Sequence, residues 1–129
     1  MKCLEDIVTV EMLKKFGEVQ ETTGSVKGTQ ETVIELCRLS LEPGYVYQVD
    51  TVINQDVSRN NAINSYIYGD NCDVRYQKTI GFGGSGGGIP NSAIVIVKNS
   101  NATVKCATFV YDDSITYNGY IRARKIGIV

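Results

Sequence analysis

Leu39-Ser40-Leu41-Glu42-Pro43-Gly44-Tyr45-Val46-Tyr47-Gln48-Val49-Asp50-Thr51-Val52-Ile53 reads as a strand, a tight turn and a second strand. Pro43 presets φ for one turn position, and Gly44 supplies the positive φ of the next. From Tyr45 to Ile53 the run is crowded with Tyr, Val and Thr, the composition of a pleated, half-buried surface. Upstream of this hairpin the chain is charged and helix-prone. Downstream, short apolar runs are punctuated by Gly, Asn and Asp, so the hairpin is the expected entrance to the main domain.

The 129 residues suffice for one domain with a short appendage and a core of useful size. A net charge of −1 with 21% charged residues argues against a nucleic-acid binder that works by neutralising phosphates. Arg122, Arg124 and Lys125 form the local basic group. Strand alternation places the two arginines on one face and Lys125 on the other, and the group reads as a solvated strand end. Glu5 and Asp6 interrupt the apolar residues of the N-terminus, which is therefore no secretory signal. No apolar run has membrane-spanning length, so the expectation is a protein soluble where it is made, with no membrane insertion.

Cysteines stand at 3, 37, 72 and 106, with no Cys-x-x-Cys pair and no histidine. A reducing compartment argues against two disulfides, and Cys37 and Cys106, inside strand patterns, read as small buried apolar groups. The flanks of the four cysteines share nothing, so their even spacing is not a repeat. Without histidine there is no Ser-His-Asp or Cys-His nucleophile system, and no metal site is expected. Paired carboxylates for glycoside hydrolysis would come from Asp50, Asp56, Asp70, Asp73, Asp112 and Asp113. All but Asp50 fall at turn or loop positions, where Asp serves the backbone. Asp70-Asn71-Cys72-Asp73 lacks the further ligands of a calcium loop. Gly81-Phe82-Gly83-Gly84-Ser85-Gly86-Gly87-Gly88 leads into a strand rather than a helix, so it is no phosphate-cradling loop. It reads as a surface loop between strands, with an adaptable ligand-contacting tip as the functional alternative.

Along the chain, Leu4, Ile7, Val8, Met12, Phe16 and Val19 recur at helical spacing and predict a helix over 4–20. Its narrow stripe suits a helix meeting copies of itself, and a helix lying on its own domain satisfies the same pattern. A polar linker is expected over 20–31. Strands are expected over 32–41, 45–53, 62–68, a segment carrying Val74, Tyr76 and Ile80, 92–97, 102–111 and 120–129. Loops are expected at 55–61, 69–71 and between Asp112-Asp113 and Asn118-Gly119. Ser92 to Val97 is a run that is apolar from Ala93 onward and reads as a strand covered on both faces. Seven or eight evenly spaced strands indicate an antiparallel sandwich or barrel.

The chain has eight tyrosines and no tryptophan. Tyrosine offers a rigid apolar face with a polar tip, which suits contact with sugars or a partner protein and equally suits a strand. Tyr66, Tyr68, Asp70, Asp73, Arg75 and Tyr76 form the candidate ligand-binding set, a polar-aromatic patch near one end of the sandwich.

Leu39 to Val49 resembles the opening of head domains in phage tail fibres and receptor-binding proteins, and Gly119-Tyr120-Ile121-Arg122-Ala123-Arg124-Lys125-Ile126 resembles their last strand. Those heads are similar to the trimeric jelly roll of the tumour-necrosis-factor and complement type. The resemblance spans 32–129; the glycine-rich stretch at 81–88 is no part of a general family pattern. It implies an all-β, antiparallel jelly-roll head over 32–129, preceded by an N-terminal helix and polar linker over 1–31 that would form a trimeric stem. It further implies a non-catalytic tail or baseplate protein of a phage or prophage, made in the bacterial cytoplasm and carried in the virion. Its partners would be two further copies of itself, other tail or baseplate proteins, and a host surface saccharide or protein; no cofactor is implied. Rival readings are a small intracellular ligand-binding β-barrel or enzyme, and a fibre-assembly protein that binds no receptor.

Overall fold

The turn at Pro43-Gly44 is present in the computed structural model, with Gly44 at φ +93°. The structure describes residues 10–28, 32–56, 58–77, 81–85, 88–110 and 115–129. Among these, one short helix, α1 (Val10–Lys14), precedes nine strands. They are β1 (Val19–Lys27), β2 (Val33–Leu41), β3 (Tyr45–Gln55), β4 (Ser58–Asp70), β5 (Asp73–Arg75), β6 (Gly81–Ser85), β7 (Ile89–Val97), β8 (Ala102–Phe109) and β9 (Thr116–Ile128). Two sheets result, ordered β1-β9-β3-β7-β5 and β2-β8-β4-β6, and every pairing is antiparallel. With β5 set aside as an added edge strand, the remaining strands split evenly and consecutive ones change sheet, except from β4 to β6. That order is the antiparallel jelly roll expected from the sequence.

The period-two alternation of the strands builds the core. Along β3 the residues from Tyr45 to Gln55 alternate strictly between buried and half-buried. Tyr47, Val49 and Ile53 meet Ile67, Val104 and Ile121 in a single cluster between the sheets.

Several expected boundaries move. The described helix is only Val10–Lys14; residues 4–9 of the helical expectation lie outside the described residues, and 15–20 form a turn and the start of β1. The expected linker is mostly β1, an edge strand that pairs with β9 from Val19↔Arg124 to Lys27↔Thr116. Its polar composition hid it, because an edge strand with one solvated face needs little apolar surface. The expected loop at 55–61 is already β4 from Ser58, and Asp70, placed in a turn, is its last residue. Asn118-Gly119, read as a turn, lies inside β9. The first five residues of the glycine-rich stretch form β6 and pair with β4, rather than forming a loop. The strand expected through Tyr76 and Ile80 is only three residues long; Tyr76 leaves it at φ +63°, and Ile80 lies outside the described residues. Asp112 and Asp113 also lie outside them.

In β2 a bulge falls between Glu35 and Cys37. The extra residue inverts the alternation, so Leu36 and Cys37 are both buried while Val33 is exposed. Leu36 lands on a site cleared by two glycines paired across β1 and β9, Gly24↔Gly119. A Cβ on Gly119 would stand 2.6 Å from the Leu36 Cβ, and one on Gly24 would overlap the Leu36 carbonyl oxygen. This contact closes the β1–β2 edge of the sandwich.

Cys37 and Cys106 face each other in register across β2 and β8, both buried and both free thiols. The hydrogen bond with the Cys37 sulfur, reinforced by burial, pushes the Cys106 thiol well above its ordinary value.

Lys125 corrects the reading of a solvated strand end: its side chain is 1% exposed. A second bulge, across from Val46 and Tyr47, pairs Lys125 with Tyr47 on the inward face. Its ammonium donates to Glu18 Oε1 at 2.8 Å and Glu42 Oε1 at 3.2 Å and sits 4.7 Å from the centre of the Tyr45 ring. Lys15 holds the other Glu42 oxygen at 2.9 Å. Backbone bonds between Gly17 N and Lys125 O, and between Lys125 N and Glu18 O, fasten the same segment. The end of α1 and the start of β1 are thereby clamped to the Glu42-Pro43-Gly44 turn.

The opposite end of the core is polar. Asn91 donates to the Ser65 carbonyl and hydroxyl oxygens at 3.4 Å, while the Thr51 hydroxyl is buried with no hydrogen-bond partner among the described residues. A buried hydroxyl that gives up water for nothing is destabilising. Thr51→Val, which keeps the shape and removes the oxygen, is therefore expected to raise unfolding stability by about 1 kcal/mol, read from urea midpoints at constant m-value.

Candidate functional site

The candidate ligand-binding set divides between two surfaces. Tyr66, Tyr68 and Asp70 lie on β4 and project from the outer face of the four-stranded sheet. The rings of Tyr66 and Tyr68 stack at 5.6 Å with planes 7° apart. Around them the charges are paired: Lys105 with Asp70 at 2.8 Å, and Arg38 with Glu35 through both carboxylate oxygens. The hydrogen bond from Lys105 holds the Asp70 carboxyl below the ordinary aspartate range. A carboxylate already engaged this way has less acceptor capacity for a ligand.

Asp73, Arg75 and Tyr76 belong to β5 and its exit, at the edge of the other sheet. Asp73 and Arg75 face outward and pair with each other at 3.6 Å. Tyr76 is 81% exposed and holds a left-handed φ of +63°. That region is unfavourable for a bulky side chain, and such strain concentrates at ligand-contacting positions.

Beside Tyr76, the outer face of the five-stranded sheet carries an open depression of about 430 Å³, lined by Asp50, Thr51, Val52, Tyr76, Pro90, Asn91 and Ser92. Register explains its make-up. Ser92, Asp50, Arg122 and Glu21 stand in one row across β7, β3, β9 and β1. Pro90, Val52, Tyr120 and Thr23 form the next row. Asp50 has weak contacts only: Gln48 Nε2 at 3.5 Å and the Arg122 guanidinium at 4.0 Å. Both lie at the outer limit of useful geometry, which leaves its lone pairs open. Between the two rows the Tyr120 hydroxyl donates to Glu21 at 2.7 Å, and this bond raises the phenol above its ordinary value.

A second, smaller depression of about 260 Å³ flanks the start of β5 and is lined by Asn71, Cys72, Asp73, Ile96, Lys98, Asn99 and Ser100. Asn71 turns the chain here at φ +61°. The edge strand β5 thus carries a depression at each end. Among the described residues no three Cys, Asp or Glu side chains converge as a metal site would require. No helix among them is long and apolar enough to cross a membrane.

Of the six sequence-predicted residues, only Tyr76 lines the larger depression, and only Asp73 lines the smaller. Asp50, Val52, Pro90 and Ser92 were not in that set. One signal was available: Asp50 alone among the possible carboxylates falls inside a strand expected from the sequence, where Asp is disfavoured unless it has work on the exposed face.

No family model and no curated protein matches the sequence. Among solved structures, the chain is similar to the C-terminal domain of EclA, described as a sugar-binding protein. The two share 13% identity and a TM-score of 0.56 over 79% of this chain and 78% of that one. A tripod from the baseplate of bacteriophage Tuc2009 aligns at 10% identity and a TM-score of 0.43, covering 92% of this chain and 68% of that one. At these identities the likeness to the EclA domain is one of fold: this chain is a two-sheet β-sandwich of the same build.

Proposed function

We propose that the chain is a non-catalytic head domain of a phage or prophage tail or baseplate, assembled as a homotrimer and binding a saccharide on the host surface. The observation that carries the reading is an open depression on the sheet face of a jelly roll, with Tyr76, Val52 and Pro90 beside Asp50 and Ser92 in its lining. Such a face offers an apolar wall and fixed polar groups together, the combination that pyranose rings use. The sugar-binding description of the EclA domain, which shares the fold, supports the same ligand class. The resemblance of the first and last head strands to tail-fibre heads supports the phage setting.

Trimer contact is proposed for the N-terminal segment. Val10, Leu13, Phe16 and Val19 are each close to half exposed or more. Four such side chains within ten residues form an apolar patch that a stem would bury. The head is proposed to begin at β1 rather than at residue 32, because β1 is part of the sheet. Light scattering is expected to give three times the chain mass for the unmodified protein and a lower mass for Leu13→Ser/Phe16→Ser. A monomeric unmodified chain would remove the tail-fibre reading.

A further inference from the structure

Resting on that saccharide reading, we infer that the depression beside Tyr76 is the sugar site, and that it takes neutral rather than acidic sugars. Its walls divide by chemistry. Val52, Pro90 and the Tyr76 ring supply apolar surface, while Asp50 and Ser92 supply polar groups. Among the described residues, Asp50 is the sole charged residue of the lining. A carboxylate accepts hydrogen bonds and donates none, so it matches hydroxyl donors, and two neighbouring hydroxyls of a pyranose fit its two oxygens. A sialic acid, uronate or phosphorylated sugar would bring a second negative charge against it. Arg122 does not offset this within the depression: it is outside the lining, and its row continues to the Glu21 carboxylate.

The Tyr76 backbone is the second observation. A tyrosine at φ +63° that is 81% exposed gains little from packing, and Gly or Asn would hold this backbone more cheaply. Strain kept for an exposed ring beside a depression points to a ring that stacks on a ligand. The stacked Tyr66–Tyr68 pair on the opposite sheet has paired charges around it and serves as the control surface.

The test is an array of neutral hexose, deoxyhexose and N-acetylhexosamine glycans beside sialylated, uronate-bearing and phosphorylated ones, followed by calorimetric titration of the best binder. The unmodified protein is expected to bind neutral glycans only. Tyr76→Asn, which suits the left-handed backbone, should fold at least as stably and lose about tenfold or more in affinity. Asp50→Asn should lose about tenfold. Tyr68→Ala should bind as the unmodified protein does. Preference for acidic glycans would overturn the ligand class. Loss with Tyr68→Ala but not with Tyr76→Asn would overturn the site and leave the saccharide reading standing. A change of oligomeric mass in Tyr76→Asn would also overturn it, making Tyr76 a contact between copies. A blank array with correctly assembled protein would remove the saccharide reading itself.

Discussion

Gly119→Val is expected to cost about 3 kcal/mol or more, at the upper end for overpacking. The first added carbon would stand 2.6 Å from the Leu36 Cβ and 3.0 Å from its Cδ1. The Cβ leaves the backbone directly and cannot rotate away. The bulge pins Leu36, so one sheet must move off the other. A cycle isolates the cause: Leu36→Gly removes the opposing Cβ, at the cost of a cavity and a looser backbone. Combined with Gly119→Ala, the loss should fall short of the sum of the single losses by about 1 kcal/mol or more. Denaturant midpoints measure each corner. A Gly119→Val protein as stable as the unmodified one would show that the sheets do not approach so closely here.

The second large effect is at Lys125. Lys125→Met keeps most of the buried stem and removes the ammonium, leaving Glu18 and Glu42 without their shared cation. Breaking a fully buried pair costs roughly 3–5 kcal/mol. Here both carboxylates are nearly half exposed and can take up water, so about 2 kcal/mol is expected. Lys125→Glu would crowd three carboxylates at one point and is expected to free the segment before β1. The pH dependence follows from the shifts. Burial disfavours the Lys125 ammonium, but hydrogen bonds to Glu18 and Glu42 outweigh it and leave its pKa above the ordinary 10.5. Its stabilisation is present below 10.5 and is lost as pH rises through the folded value. The Glu42 carboxyl is held below its ordinary 4.5, chiefly by the hydrogen bond from Lys15. Its contribution is present above 4.5 and is lost as pH falls through the folded value. Stability of the unmodified protein should therefore decline at both extremes, and Lys125→Met should flatten the alkaline decline. Melting temperatures across pH test this; an unchanged alkaline limb would remove Lys125 as the clamp.

Reading the chain by pattern worked where burial and period agree. In β3 and β8 every second residue meets the core, so alternation marks the strand directly. By contrast β7, read from its apolar run as covered on both faces, buries one face and leaves Ser92 exposed with Ile94 and Ile96 half-buried. Pattern reading failed at β1, whose inward positions are Gln20, Thr22, Gly24 and Val26, because an edge strand needs little apolar surface and at Gly24 β2 comes too near for a side chain. It failed again at β6, where glycines complete a sheet edge through backbone bonds that need no side chain. In both places the stabilising partner is distant in sequence, and its approach leaves no period in the residues it meets.

The ligand set shows the same division. Tyr66, Tyr68, Asp70, Asp73, Arg75 and Tyr76 are close in sequence, but the chain crosses between sheets within that stretch, so they face in different directions. Asp50, Ser92 and Arg122 are far apart in sequence, yet antiparallel register sets them side by side. The sequence by itself determined the all-β class, the Pro43-Gly44 turn and most strand positions, since these follow from local φ preferences and a two-residue period. Tertiary structure alone decided the burial of Lys125, the meeting of Leu36 with Gly24 and Gly119, and the depression beside Tyr76. Each of these depends on a bulge or on strand register, and a shift of one residue would turn every side chain concerned to the opposite face.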